Sequence, residues 1–401
     1  MFSRSDGERL TRVRILFCSL GSPGHTYPLL PLAVAARDSG HEIAFTTSGQ
    51  FRDALAALGF RHEESGVPVT EAYQEGLRTG FGKESPDGLG PDELRELSSL
   101  VFGRLIPKRS AGQLAEVIER VRPELVVHDV SSYGAALAAA VAGIPAVCHG
   151  IGRESPDEFT LAIEDKVRGL AGELGVAVPS GRLMGMGNPY LDLYPDSMQD
   201  QELLDSGRRF PLRPVPFSDD SDLPEWVRTR DRGRPLAYLT LGTSGSGSVG
   251  ALRRAVDGLA ALDVDVLVSS GRSLDVSEFG KLPPRVRLES WVPQAKLFPE
   301  LDLAAHHGGS GTTLGSLAAG VPQLCLPWDN DPFGSGDAVL STGAGLRLLP
   351  DELTADAVRE KAGELLADAG YLAAAEKMAA EIAQMPSPEE VAAGLARFAA
   401  G

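Results

Sequence analysis

Apolar residues in the first half of the chain follow two alternating patterns. The run from Val13 to Leu20 is typical of a strand buried on both faces, and further strands are predicted at 42–47, 125–129 and 144–148. Between them, apolar residues recur at helical spacing and predict helices at 29–36, 114–121 and 135–142. This alternation predicts a parallel, doubly wound α/β sheet.

The same alternation restarts after Arg213-Pro214-Val215-Pro216-Phe217, whose prolines favour an extended linker. Strands are predicted at 236–241, 265–270, 286–291, 303–307 and 323–328. We therefore predict an N-terminal domain at 1–212, a linker at 213–233, a C-terminal domain at 234–385, and a helix at 386–401 that packs back on the N-terminal domain. Residues 65–108 and 152–205 are less regular, and either line a binding site or decorate the surface.

Composition narrows the function classes. The net charge of −17 disfavours nucleic acid and anionic membranes as partners. No apolar run is long enough to cross a bilayer, and the polar start of the chain predicts a cytoplasmic protein. The three cysteines are far apart in apolar runs, which predicts buried free thiols. Because such a chain repels anions at long range, any phosphate site must be built locally from backbone N–H groups.

A glycine-rich segment meets that requirement. His307-Gly308-Gly309-Ser310-Gly311-Thr312 follows a predicted strand and opens a predicted helix. Glycine lets the backbone approach an anion, and a helix N-terminus stabilises negative charge. A glycine turn before a helix is common, but the string from Trp291 through these residues to Asp331 is far more specific.

This string resembles the donor-binding motif of the GT-B glycosyltransferases, and the whole chain is similar to the actinobacterial enzymes that glycosylate antibiotics, including the calicheamicin rhamnosyltransferase. The resemblance implies two facing Rossmann-like domains with a cleft between them, and an inverting, metal-independent transferase. It also implies roles for single residues. Trp291 would stack on the base, the Val292 backbone would pair with its edge, and the remaining donor-binding residues would be Gln294, His307, Gly309, Ser310, Gly311, Thr312 and Asp331, with Gly242, Thr243 and Ser244 closing over the diphosphate.

Two positions depart from the UDP-glucose-using form of this motif. Gly315 replaces a ribose-binding glutamate, and Pro332 replaces a glutamine that contacts the sugar. Both changes remove hydrogen-bond partners of donor hydroxyls, which favours a dTDP-deoxysugar as donor substrate and no separate cofactor. Glutamate at position 315 should restore UDP binding if the position can hold a larger side chain.

Two aspartates and two tryptophans admit other interpretations. Asp329-Asn330-Asp331 resembles an Asp-x-Asp metal site, but no further ligand spacing supports one, so we predict a sugar contact and no metal. Trp291 could instead be a core residue, and Trp328 is assigned to the core.

The predicted general base is His25, which follows the first strand, and its predicted partner is Asp129, which ends another. Both lie at the carboxyl edge of the sheet, where open α/β sheets bind ligands. The resemblance gives them the same roles. Alternatively, His25 is a structural loop residue and Asp129 caps a helix. His41, His128 and His149 are assigned structural roles.

These patterns predict a glycosyltransferase that acts on a small natural product, a polyketide or an enediyne. A non-catalytic sugar-nucleotide-binding protein and a sugar-nucleotide epimerase of the same fold remain alternatives. A nicotinamide dehydrogenase is disfavoured because the turn at 21–24 lacks a dinucleotide fingerprint. Phe81, Phe102, Tyr190 and Tyr194 either wall an acceptor pocket or pack in the core, and the sequence leaves the oligomeric state open, with a homodimer among the possibilities.

Overall fold

The computed structural model describes residues 12–154, 157–217, 221–242, 249–270, 281–327 and 333–400, without the side chains of residues 333 and 334. These residues form two compact units. The first contains residues 12–192 and 386–400 together with Asp200–Leu212, and the second contains Leu193–Gln199 and Arg213–Met385. The chain therefore passes between the units four times.

The first unit is built on a seven-stranded sheet with the order β3-β2-β1-β4-β5-β6-β7. Every pairing is parallel. The strands are β1 (Arg14–Cys18), β2 (Glu42–Thr47), β3 (Arg61–Glu64), β4 (Leu125–Asp129), β5 (Ala146–His149), β6 (Tyr190–Asp192) and β7 (Arg209–Pro211).

Helices cover both faces of this sheet. One face packs Leu16, Ala44 and Val126 against two helices, α6 and α7. The C-terminal residues belong to this unit, where Phe398 packs edge-to-face on Phe210. The helices are α1 (Pro23–Thr26), α2 (Leu30–Asp38), α3 (Arg52–Ala57), α4 (Val69–Gly76), α5 (Pro91–Leu100), α6 (Ile106–Val121), α7 (Tyr133–Val141), α8 (Glu158–Glu173), α9 (Gln201–Asp205), α17 (Pro388–Ala392) and α18 (Ala396–Ala399).

The second unit is built on a six-stranded parallel sheet with the order β10-β9-β8-β11-β12-β13. Its strands are β8 (Leu236–Thr240), β9 (Asp265–Ser269), β10 (Val286–Glu289), β11 (Leu303–His306), β12 (Gln323–Cys325) and β13 (Gly345–Arg347). Its helices are α10 (Glu225–Thr229), α11 (Val249–Ala260), α12 (Gln294–Leu297), α13 (Ser310–Ala318), α14 (Phe333–Thr342), α15 (Ala355–Ala367) and α16 (Ala369–Ala383).

Alternate residues of these strands enter two separate cores. Leu239 and Val266 pack with α11 and α15 on one face, while Tyr238 and Leu267 pack with Phe298 on the other. Because successive residues of a strand enter cores on opposite faces of the sheet, both faces of the strand are apolar. Both sheets are thus doubly wound.

The nine predicted strands are all present, within a few residues of their predicted ends. The structure adds β3, β6, β7 and β13, which the sequence analysis did not identify. These four strands have three or four residues each, and all of them lie at or next to a sheet edge. So short a strand carries little apolar signal.

The prediction of irregular structure at 65–108 and 152–205 was wrong in part. The first segment contains α4, α5 and the start of α6, joined by π-helical turns at Leu77–Phe81 and Val101–Leu105. The second contains the sixteen-residue α8. Glycines, prolines and acidic residues interrupt the apolar periodicity there, and tertiary packing overrides their weak local preference.

Each sheet reverses its strand order next to its first strand. In the first unit the reversal lies between β1 and β4, and in the second between β8 and β11. The connections that leave the two central strands then turn to opposite faces, which opens a crevice at the carboxyl edge. This crevice is the usual ligand site of an open α/β sheet.

Four of the seven histidines are buried: His41, His128, His149 and His306. Burial lowers the pKa of all four side chains, to about 4 for His149 and about 3 for His306. They are neutral at pH 7. Within the part of the chain that the structure describes, no helix is long and apolar enough to cross a membrane.

The fold should therefore lose stability in mild acid. A histidine whose folded pKa lies below its unfolded value of 6.5 stabilises the fold above pH 6.5 and loses that contribution as pH falls toward the folded pKa. For His149 the loss near pH 4.5 is roughly 2–3 kcal/mol. Thermal melts between pH 7.5 and 4.5 should show a falling Tm, with a shallower slope for His149→Asn. A slope identical in the parent and this variant would contradict the assignment.

Candidate active site

The two predicted catalytic residues meet at the switch point of the first sheet. His25 lies in α1, directly after β1, and Asp129 is the last residue of β4. Their side chains form a hydrogen bond of 3.0 Å between His25 Nδ1 and Asp129 Oδ1. The Asp129 side chain is fully buried, whereas about a quarter of the His25 side chain is exposed.

Asp129 is held by further donors. Its Oδ2 accepts from the Leu20 amide and the Ser132 hydroxyl, and its Oδ1 also accepts from the Ser131 amide. Burial raises the pKa of this carboxyl, but His25 and these hydrogen bonds more than offset that effect and leave the pKa below its ordinary value. Asp129 is therefore a carboxylate at neutral pH.

This geometry fixes the tautomer of His25. A carboxylate accepts only, so Nδ1 of the imidazole carries the proton and Nε2 is the basic nitrogen. Asp129 does not act as the N-cap of α7, because that position is occupied by Ser132. The arrangement suits a general base, and the base role itself stays a prediction.

The predicted diphosphate residues lie at the switch point of the second sheet. Gly242 follows β8, and the string from His307 to Thr312 joins β11 to α13. Gly309 occupies the N-cap of α13 and provides no side-chain cap. The first hydrogen bond into the helix comes from the Thr313 amide to the Gly309 carbonyl. The three N–H groups before it, at 310–312, point out of the helix N-terminus, where an anion is stabilised.

Two glycines make room for the His307 ring. A Cβ atom at Gly309 would lie 2.6 Å from His307 Nε2, and one at Gly242 would lie 2.9 Å from the same atom. Gly242 also has φ of +86°, in the left-handed region. A side chain at either position would therefore displace the His307 ring. The ring of His307 consequently lies beside the N-terminus of α13.

His306 is a residue whose role the sequence analysis missed. Its Nδ1 accepts from the Gly308 amide at 3.0 Å, and its Nε2 donates to Gln323 Oε1 at 2.6 Å. The Gln323 amide nitrogen donates in turn to the Thr313 carbonyl. This buried network fixes the turn before α13. The sequence signal for this role is the pair of adjacent histidines. Neighbouring residues at a strand end point to opposite faces of the sheet, so the two histidines are expected to have different roles.

Gln294, a predicted donor-binding residue in α12, connects α12 to strand β8 and to helix α13. Its side-chain nitrogen donates to the Tyr238 hydroxyl at 3.0 Å and approaches Thr312 Oγ1 at 3.4 Å. Trp291 follows β10 and is half-buried, and the Val292 side chain is buried. Base stacking by Trp291 stays a prediction.

Four predicted donor or core positions, Thr243, Ser244, Trp328 and Asp331, lie outside the described residues, as do Asp329 and Pro332. Among the residues that are described, no cluster of three histidine, cysteine or acidic side chains could hold a metal ion. The structure therefore leaves the prediction of a metal-independent site untested.

Position 315 cannot hold a glutamate in this structure. Gly315 lies in α13, and a Cβ atom there would come within 2.2 Å of the Phe298 ring. Phe298 is itself almost completely buried. The ring thus fills the space that the side chain of a glutamate would need.

Two aromatic residues that were candidates for an acceptor pocket are core residues. Tyr190 and Tyr194 are almost fully buried, and their hydroxyls bond to Glu154 and to Ser310 and Ser335, respectively. Phe81 and Phe102 are partly buried against the cluster that contains Leu77 and Val101.

Comparison with known proteins decides the family. Residues 253–398 match the model of the erythromycin biosynthesis protein CIII-like C-terminal domain. The chain is 33% identical to elloramycin glycosyltransferase ElmGT of Streptomyces olivaceus over 396 residues, which cover 96% of this chain and 97% of that protein. The chain belongs to the GT-B natural-product glycosyltransferases.

Other members of this family agree. L-demethylnoviosyl transferase of Streptomyces niveus is 31% identical, over 96% of this chain and 98% of that protein. The glycosyltransferase SsfS6 of Streptomyces sp. SF2575, solved with thymidine diphosphate, is 25% identical with a TM-score of 0.77, over 96% and 100% of the two chains. Calicheamicin glycosyltransferase CalG4, at 23% identity, shares the fold with a TM-score of 0.78 over 97% and 98%. This chain is thus a sugar transferase related to antibiotic glycosyltransferases.

The His25–Asp129 pair leads to a prediction for this transferase. His25→Ala should abolish transfer, because the acceptor loses its base, while the affinity for nucleotide stays within a few-fold, because the predicted diphosphate residues lie on the other sheet. Asp129→Asn should give an intermediate rate, since it keeps the shape and loses the charge. Initial rates at pH 7.5 and nucleotide titrations measure both effects. Near-normal turnover of His25→Ala at neutral pH would contradict the base assignment.

Proposed function

We propose that this transferase moves a deoxysugar from dTDP to a hydroxyl group of a polyketide-like acceptor, with inversion at the anomeric carbon and without a metal ion. The observation that best supports the chemistry is the hydrogen-bonded pair of His25 and the buried Asp129 carboxylate at a switch point. A protein that only binds nucleotide has no need of such a pair.

The reaction is a single displacement. The acceptor oxygen attacks the anomeric carbon from the face opposite the diphosphate, and its proton passes to Nε2 of His25. The bond between the anomeric carbon and the diphosphate oxygen breaks as the new bond forms, through a transition state of oxocarbenium character. The Asp129 carboxylate stabilises the imidazolium that results.

The leaving group needs stabilisation as well. Charge that develops on the departing dTDP is held by the N–H groups at 310–312 and by His307, which are in place before the reaction begins. Such preorganised donors substitute for a divalent cation. The backbone supplies them without a formal charge, which suits a chain of net charge −17.

The nucleotide preference is inferred from position 315. Gly315 offers no carboxylate to a ribose 2′-hydroxyl, and Phe298 packs an apolar ring against it. A hydroxyl buried there without a partner would cost about 1–3 kcal/mol, whereas a deoxyribose has no such group. The relative SsfS6, solved with thymidine diphosphate, supports the same choice.

A nucleotide series tests this preference. dUDP and UDP differ only at the 2′-position, so titration calorimetry should give dUDP about tenfold tighter binding than UDP. dTDP and dUDP differ only in the base methyl group, and this pair isolates the recognition of the base. Equal affinity for dUDP and UDP, or tighter binding of UDP, would refute the argument from Gly315.

A substitution pair tests the structural cause. Gly315→Glu alone should destabilise the fold, because its Cβ atom meets the Phe298 ring. Phe298→Leu with Gly315→Glu removes that clash and should shift the preference toward UDP, with Phe298→Leu alone as the matched control. If the control shifts the preference as far as the double variant, the carboxylate is not the cause.

Metal independence is tested by chelation. Transfer from a dTDP-6-deoxyhexose to a panel of hydroxylated polyketide aglycones should continue unchanged in EDTA, because the helix N-terminus and His307 replace the cation. The anomeric configuration of the product, read from proton couplings, should be opposite to that of the donor. Loss of activity on chelation, with recovery in Mg²⁺ or Mn²⁺, would assign a metal to Asp329 and Asp331.

A further inference from the structure

Tyr194 connects two helix starts of the second unit. The residue belongs to Leu193–Gln199, a short segment that groups with the second unit although the chain on both sides of it groups with the first. Its side chain is fully buried. Its hydroxyl donates to Ser310 Oγ at 3.1 Å and lies 2.9 Å from Ser335 Oγ.

The number of protons on these groups fixes which hydroxyl donates in each of the two hydrogen bonds. A phenol has one proton, and Tyr194 gives it to Ser310. Ser335 must therefore donate its own proton to the Tyr194 oxygen. The Ser310 oxygen is then an acceptor from Tyr194, and its proton is left to point elsewhere.

Ser310 is the first residue of α13, next to the outward N–H groups at 311 and 312. Its proton can therefore be given to the same anion that those N–H groups bind. A chain of hydroxyls that runs Ser335, Tyr194, Ser310 and anion is polarised in one direction, and each bond strengthens the next.

The segment that carries Tyr194 is itself anchored. The Ser197 amide donates to Glu381 Oε1 at 3.1 Å, and its hydroxyl donates to Oε2 at 2.7 Å. Glu381 lies in α16, which packs on α13. The Tyr194 side chain is thus held by its hydroxyl at one end and by the anchored backbone segment at the other. A residue that orients another group needs such a fixed position.

We propose that Tyr194 is a positioning residue for the donor diphosphate: its hydroxyl holds the Ser310 hydroxyl with the proton directed at the phosphate and ties the first turn of α14 to that of α13. The inference rests on the proposed function, in which Ser310 contacts the diphosphate. It adds a residue outside the donor-binding string, from a segment far from it in sequence.

The test is a double-mutant cycle in nucleotide binding. Tyr194→Phe keeps the ring and removes the hydroxyl group with both of its hydrogen bonds, and should weaken dTDP binding about fivefold. In the Ser310→Ala background the same change should alter affinity less than twofold, because the group that it orients is gone. Equal fold losses in both backgrounds would show that Tyr194 acts through general stability, and would overturn the proposal.

Thymidine provides a second measurement that a purely structural role would not separate. It lacks the diphosphate, so Tyr194→Phe should leave its affinity unchanged. A parallel loss for thymidine and dTDP would contradict the proposal. Tyr371→Phe is the matched control, because it also removes a tyrosine hydroxyl bond of the second unit, to Glu364, and should leave dTDP binding unchanged.

Two further arms keep the result interpretable. If Tyr194→Phe does not fold, Ser335→Ala reaches the same chain from its other end and should weaken dTDP binding about twofold to threefold, only while Ser310 is present. No change in that variant would overturn the proposal. Titration of the parent protein with dTDP and UDP separates the test of Tyr194 from the test of the proposed donor. Tighter UDP binding would refute the dTDP donor, and the mutant cycle would then be measured with UDP.

Discussion

A parallel sheet whose strand order reverses beside its first strand leaves a crevice at its carboxyl edge, and both sheets of this protein carry their predicted functional residues there. Between β1 and β4 that place holds His25 and Asp129, and between β8 and β11 it holds Gly242 and the start of α13. His25, Asp129 and the start of α13 each lie within a few residues of a strand end. The strand order therefore decides which of these residues come together in each sheet.

The two predicted sites differ in the sign and the distribution of their charge. At the first site a carboxylate is buried and kept ionised by His25 and three other donors, so that charge is concentrated at one point. At the second site the predicted anion would meet the N-terminus of α13, which spreads partial positive charge over several N–H groups. The two glycines matter there, because a side chain at Gly309 or Gly242 would meet the His307 ring, which lies beside those groups.

The sequence predicted the parts of the molecule in which one local signal decides the outcome. Strands β2 and β4 have the predicted bounds, because each has a buried apolar segment followed by polar residues at its carboxyl end. His25 and Asp129 could be paired because the carboxyl ends of parallel strands share one edge. β3, which spans Arg61–Glu64, carries no apolar signal. It is held by pairing with β2 and by an ion pair between Glu63 and Arg120. The roles of His306 and Tyr194 depend on contacts with residues that the sequence does not mark.

At position 315 the sequence and the structure point to different physical consequences of the same glycine. The sequence identifies the glycine as the loss of a carboxylate, which is a statement about one hydrogen bond. In the structure the Phe298 ring occupies the volume that a glutamate side chain would need. The same ring belongs to the core cluster that contains Tyr238 and Val292. Tyr238 in turn accepts from Gln294, which approaches Thr312. A change of nucleotide preference at this position is therefore a change of core packing as well, and one substitution cannot accomplish both.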